Sequence, residues 1–106
     1  MRRRYLGFRV LSGSPLRSGE VYSAIIRSML NLFGARGLSE ADVKLLSFNP
    51  SNGFGILRCN HKAVWMVRAA LAMISRVDSS ETSMYVVRVS GTVKALREKV
   101  RLEVSS

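Results

Sequence analysis

Hydrophobic positions change period several times along this chain, and each change marks an element. Leu6, Phe8 and Val10 alternate with small or polar residues, so Tyr5 to Leu11 is predicted as a strand with one buried face. Ser12-Gly13-Ser14-Pro15 ends it. From Ser18 or Gly19 the period lengthens. Val21, Ile25, Met29 and Leu32 lie close to one stripe, Tyr22, Ile26 and Phe33 widen it, and Arg27 sits on the polar side. A helix to about Phe33 is expected, with Gly34 and Gly37 as its stop. Asp42 to Asn49 and Phe54 to Cys59 read as two strands joined by the turn Pro50-Ser51-Asn52-Gly53, a hairpin. Asn60 caps a second helix, about His61 to Val77, on the stripe Val64, Val67, Leu71 and Ile74. A polar loop, Asp78 to Thr82, leads to a fourth strand, Met84 to Val89. Ser90-Gly91-Thr92 then turns into a terminal helix. Val93, Leu96 and Val100 form one of its faces, and Lys94, Arg97 and Arg101 form a cationic ridge beside it.

The predicted order is β-α-β-β-α-β with an added basic C-terminal helix. That is an α+β chain of the split βαβ kind, an RNA-recognition-like α/β sandwich with one antiparallel sheet and both main helices on one face. Residues 1–4 read as a flexible basic arm and 5–106 as a single domain.

Charge narrows the partner. Seventeen Lys and Arg stand against seven Asp and Glu, for a net +10, and thirteen of those cations are Arg. The guanidinium fork grips phosphate bidentately and stacks on bases, so nucleic acid is favoured over a generic membrane surface. Cys59 is the sole cysteine, which rules out an internal disulfide and fits a reducing compartment. Arg27, Arg58, Arg68 and Arg88 interrupt the apolar runs well short of the roughly 18 residues a membrane span needs. The Arg-rich, acid-free start has the composition of a transit peptide. The alternation of Leu6, Phe8 and Val10 argues for a strand there instead.

Catalytic chemistry has little to work with. His61 and Cys59 flank the end of a strand and the start of a helix, so their side chains need not meet. Glu40 with Asp42, and Asp78 with Glu81, are the near acid pairs, and both lie in or beside loops. Metal binding fails on ligand count. Asn52-Gly53-Phe54-Gly55-Ile56-Leu57-Arg58-Cys59 occupies the place of an RNA-recognition octamer. Gly53, Phe54 and Gly55 match it, but Ile56 and Cys59 replace aromatics on which bases would stack. Gly34-Ala35-Arg36-Gly37 has the spacing of a phosphate-gripping GXXG loop, yet a helix stop explains it better because a strand follows so soon. Trp65, Met66, Ala69 and Met73 lie off the second helix's buried stripe and make a candidate protein-partner surface.

Three stretches resemble the archaeal ribonuclease P protein component 2 family, which is related to a subunit shared by eukaryotic ribonucleases P and MRP. They are Arg3-Arg4-Tyr5-Leu6-Gly7-Phe8; Gly53 to Cys59 with Val64, Val67-Arg68, Ala70-Leu71 and Ile74; and Val89-Ser90-Gly91-Thr92-Val93-Lys94 with the helix after it. The resemblance implies a non-catalytic RNA-binding subunit supporting a catalytic RNA that removes the 5′ leader from precursor tRNA. Metal ions are then expected on the RNA, and no cofactor on this chain. The implied partners are the ribonuclease P RNA, protein component 3 in a two-plus-two heterotetramer, other ribonuclease P proteins, and precursor tRNA indirectly. No membrane is implied. The location would be cytoplasmic in an archaeon, and nuclear or nucleolar in a eukaryote. The candidate RNA contacts are Arg2, Arg3, Arg4, Arg58, Arg88, Lys94, Arg97 and Arg101. Two rival readings are a stand-alone single-strand RNA module working through Phe54 and a protein-interaction scaffold whose charge serves solubility.

Overall fold

The computed structural model describes residues 2–105, with side chains as far as Lys99. Its elements are β1 (Arg3–Ser12), α1 (Ser18–Ala41), β2 (Lys44–Asn49), β3 (Phe54–Asn60), a 3-10 turn (His61–Ala63), α2 (Val64–Ala72), β4 (Arg76–Val77), β5 (Ser80–Ser90) and α3 (Val93–Ser105). The strands form one sheet in the order β2-β3-β1-β5-β4, and every pairing is antiparallel. This is the expected α+β sandwich, enlarged by a short edge hairpin.

Alternation in β1 fixes which face holds the core. Leu6 and Phe8 are fully buried and Val10 nearly so. Cross-strand partners carry the same face into β3 at Leu57 and Cys59 and into β5 at Met84, Val86 and Val89. Helix α1 lays Val21, Ile25 and Met29 on this face, and α2 lays Val67, Ala70 and Leu71 beside them. Gly55 is forced by this packing. A Cβ there would come within 2.6 Å of the Phe8 ring, which stacks on Phe48. Gly53 is forced by the turn: its φ is +74°, and a Cβ would lie 2.3 Å from the Val10 carbonyl oxygen. Two of the three octamer matches therefore serve the hairpin itself.

Several boundaries differ from expectation: β2 begins at Lys44, β5 begins at Ser80 inside the expected loop, and the start of β1 and the ends of α1 and α2 move further. Arg3 and Arg4 belong to β1, opposite Asn60 and Cys59, and the Arg2 carbonyl accepts from the His61 N–H at 3.0 Å. The arm is thus pinned across the end of β3. Apolar alternation begins only at Leu6, so the pattern does not register a polar extension held by backbone hydrogen bonds. Helix α1 does break at Gly34, whose φ of 73° and ψ of 179° are open essentially to Gly alone, but the chain re-enters helix as far as Ala41. Asp42, in the left-handed region, then caps it by donating its N–H to the Leu38 carbonyl.

Helix α2 ends at Ala72 rather than near Val77. The Ser28 hydroxyl donates to the Ala70 carbonyl at 2.7 Å, and the Ile74 N–H turns to Leu71 instead. The Ser75 carbonyl accepts from Thr82, and Arg76–Val77 joins the sheet beside Ser80 and Glu81. Val77 is buried as the periodicity requires, but as a strand residue. Among the described residues, no helix is long and apolar enough to cross a membrane.

Ser28 is one of the few buried polar residues, and its bond ties α1 to the end of α2. Ser28→Ala strands a buried carbonyl and should cost about 1–3 kcal/mol. Urea titration should show a lower midpoint at unchanged slope; an unchanged midpoint would contradict this role.

Candidate nucleic-acid interface

The second face of the sheet is a grid whose rows run across four strands. Strand pairing sets Lys44, Arg58, Tyr5 and Ser90 in one row; Ser47, Ile56, Gly7 and Arg88 in the next; and Asn49, Phe54, Arg9 and Tyr85 in the third. The ladder shift between Gly7 and Phe8 makes this possible. It leaves Val87 as an extra residue, so that Val86 and Val89 both face the core while Tyr85 and Arg88 both face away. A second shift around Leu46 does the same for β2, turning Lys44 and Ser47 to this face.

Helix α3 closes over part of it. Thr92 caps the helix, its hydroxyl accepting from the Ala95 N–H at 3.2 Å. The helix packs against β5 and β1. Leu96 and Ile56 are buried yet stand apart from the core cluster that α1 and α2 build, which assigns them to this second face. Lys94 and Arg97 point to solvent on α3. The Arg101 side chain lies outside the described residues.

Lys44 lies directly opposite Arg58, a like-charge pair that weakens a sheet unless an anion offsets it. Arg58 and Arg9 each bury an Nε that finds no acceptor. The Arg9 guanidinium sits over the Phe54 ring, 5.1 Å from its centroid, so that ring face is already covered.

The other candidates scatter. Arg3 is engaged by Asp42 at 3.6 Å, Arg4 donates to the Arg3 carbonyl, and Arg2 is exposed at the far end of β1. Arg58 and Arg88 share the grid, and Lys94 and Arg97 flank it on α3. Arg9, Lys44 and Tyr85 were missed in the sequence. Arg9 was within reach, since the alternation that buries Leu6, Phe8 and Val10 sends Arg9 the other way. Lys44 and Tyr85 depend on strand shifts that no periodicity reveals.

On the opposite side, the proposed partner surface divides. Trp65 and Met73 are 63% and 66% exposed, whereas Met66 packs partly against the core and Ala69 is half-buried. Trp65 meets Phe33 edge-on at 5.5 Å, and Leu32 of α1 lines a surface cavity with Met73. Asp78, in the loop before β5, meets Glu20, and the shared hydrogen bond, with the nearby charge, raises the Asp78 carboxyl. Among the described residues, no three His, Cys, Asp or Glu side chains gather as metal ligands.

A family model described as the Rpp14/Pop5 family matches residues 4–101. The chain belongs to the Rpp14/Pop5 family. Ribonuclease P protein component 2 of Methanosarcina mazei is 35% identical over 98 residues, covering 92% of this chain and 83% of that one. The protein of the same name in Pyrococcus furiosus is 31% identical over 98 residues, covering 92% and 82%. A chain in the cryo-EM structure of yeast ribonuclease MRP superposes with a TM-score of 0.71 over 98% of this chain and 95% of that one. At 10% identity that likeness is one of fold. The resemblance drawn from the three sequence stretches is borne out.

Burial pushes the Cys59 thiol, on the core side of β3, up to about 11. Because the folded value is raised, its contribution to stability is complete below the unfolded thiol's pKa of about 8.5 and is lost as pH climbs toward the folded one. At pH 8 iodoacetamide should leave the folded protein unmodified and alkylate it once in urea. Rapid labelling without urea would contradict the burial.

Proposed function

We propose that this Rpp14/Pop5-family chain works as a non-catalytic protein subunit of ribonuclease P whose second sheet face meets RNA. Its partner there is the catalytic RNA that removes the 5′ leader from precursor tRNA. The observation that carries the reading is the opposed Lys44–Arg58 pair, with the acceptor-less Nε atoms of Arg58 and Arg9 on the same face. A phosphate backbone supplies what that arrangement lacks, negative charge and acceptor oxygens spread over several strands. Arg88, Lys94 and Arg97 extend the same side of the molecule. Arg101 continues the Lys94–Arg97 spacing along α3.

The helix side supports a protein contact. Among the described residues, Trp65 and Met73 are the large apolar side chains most exposed there. Component 3 is the partner proposed for this side, in a two-plus-two assembly. The two faces then divide the work, RNA on the sheet and protein on the helices.

Reconstitution tests the whole reading. Adding this chain with a component 3 protein to a ribonuclease P RNA should stimulate precursor-tRNA cleavage; no stimulation in any mixture contradicts it. Replacing Lys44, Arg58 and Arg97 with Ala should flatten the dependence of log affinity on log salt by roughly 2–3 units, at 0.7–0.9 per phosphate. An unchanged slope removes this face from the RNA.

A further inference from the structure

The second sheet face is not evenly covered. Ile56, in the middle row of the grid, is 8% exposed, whereas Tyr85 in the third row is 44% exposed and Leu11 beyond it 50%. Helix α3 therefore shields one end of the face and leaves the other open. The open end holds a cross-strand row, Phe54–Arg9–Tyr85, with Leu11 diagonal to Tyr85. Two aromatic rings thus flank one guanidinium on a flat, pleated surface.

We infer that this open end stacks one unpaired nucleobase of the bound RNA. The inference rests on the reading that the sheet face meets RNA, and adds which part of the RNA it takes there. Each element of the row points to that ligand. Arg9 already lies over the Phe54 ring at 5.1 Å, in the arrangement by which guanidinium planes and aromatic rings layer with bases. Tyr85 offers a solvent-facing ring on the strand at the other side of Arg9. A purely apolar peptide would have to desolvate the charge at the centre of the row, so Arg9 disfavours it. A nucleotide fits both parts, because its π face meets the Tyr85 ring and the Arg9 plane, while Arg58 and Lys44 lie farther along the same face for the phosphates of neighbouring nucleotides. A base inside a duplex is already stacked on its neighbours and cannot reach a flat sheet, so the base must be unpaired. The ring faces read no Watson–Crick edge, and the preference should be for single strands rather than for one sequence.

Two probes separate stacking from charge: a short single-stranded oligoadenylate and an RNA duplex of equal length, each titrated against the full chain. Tyr85→Ala removes an exposed ring and Tyr85→Phe keeps it; circular-dichroism melts check the fold of both. Tyr85→Ala should weaken oligoadenylate binding by about 5- to 100-fold, the range for one stacked base, and leave duplex binding and its salt slope unchanged, while Tyr85→Phe should bind both probes as the unaltered chain does. Equal losses on both probes, or none on either, overturn the inference while salt-dependent RNA binding still upholds the function proposed above. If the unaltered chain binds neither probe, that function and this inference fall together.

Discussion

The alternation of side chains along β1 is the constraint on which the rest depends. This strand lies in the middle of the four long ones and pairs along its length with β3 on one side and β5 on the other. Leu6, Phe8 and Val10 commit one face to the core, and a strand period of two then leaves Tyr5, Gly7, Arg9 and Leu11 no choice but the other. A slip of one residue would bury Arg9 and expose Phe8, so the register that builds the core also builds the cationic grid. The Val87 bulge protects that arrangement in β5, where an unbroken alternation would have sent Arg88 and Val89 to the wrong sides.

The two faces then meet different physical problems. Between the sheet and α1 and α2 the core is apolar, and the buried helix carbonyl at Ala70 is satisfied by Ser28. On the sheet side, α3 covers Ile56 with Leu96 but stops short of the third row. The side chains left in reach of solvent include cations, Tyr85 and Leu11, and the protein gives Arg9 a ring rather than a carboxylate. A surface of that composition is suited to a polyanion with flat bases, and a large ordered RNA offers both. Arg3 shows the contrast, because Asp42 already holds it.

Much of the fold was legible because burial follows period. Val21, Ile25, Met29, Val67 and Leu71 are core residues as their spacing requires. What periodicity does not carry is where backbone hydrogen bonds go. The pinning of Arg2 by His61, the re-entry into helix after Gly34 and the early end of α2 are all backbone events, with no apolar signature. The site suffered most from this. Lys94 and Arg97 were visible as a helical ridge, and Arg58 and Arg88 as charges within strands. Their common face, and the membership of Lys44 and Tyr85 in it, emerged only from the shifted pairing around Leu46 and Val87.

The central claim is that face, and not total charge, directs this chain to RNA. Two charge-reversed variants test it most directly: Lys44→Glu with Arg88→Glu on the sheet face, and Arg27→Glu with Arg68→Glu on exposed positions of α1 and α2. Each lowers the formal charge by four, from +10 to +6, so composition alone treats them alike. Affinity for a ribonuclease P RNA, measured at one salt concentration, should collapse for the sheet-face variant and change little for the helix-face variant. Equal losses for the two would contradict the account.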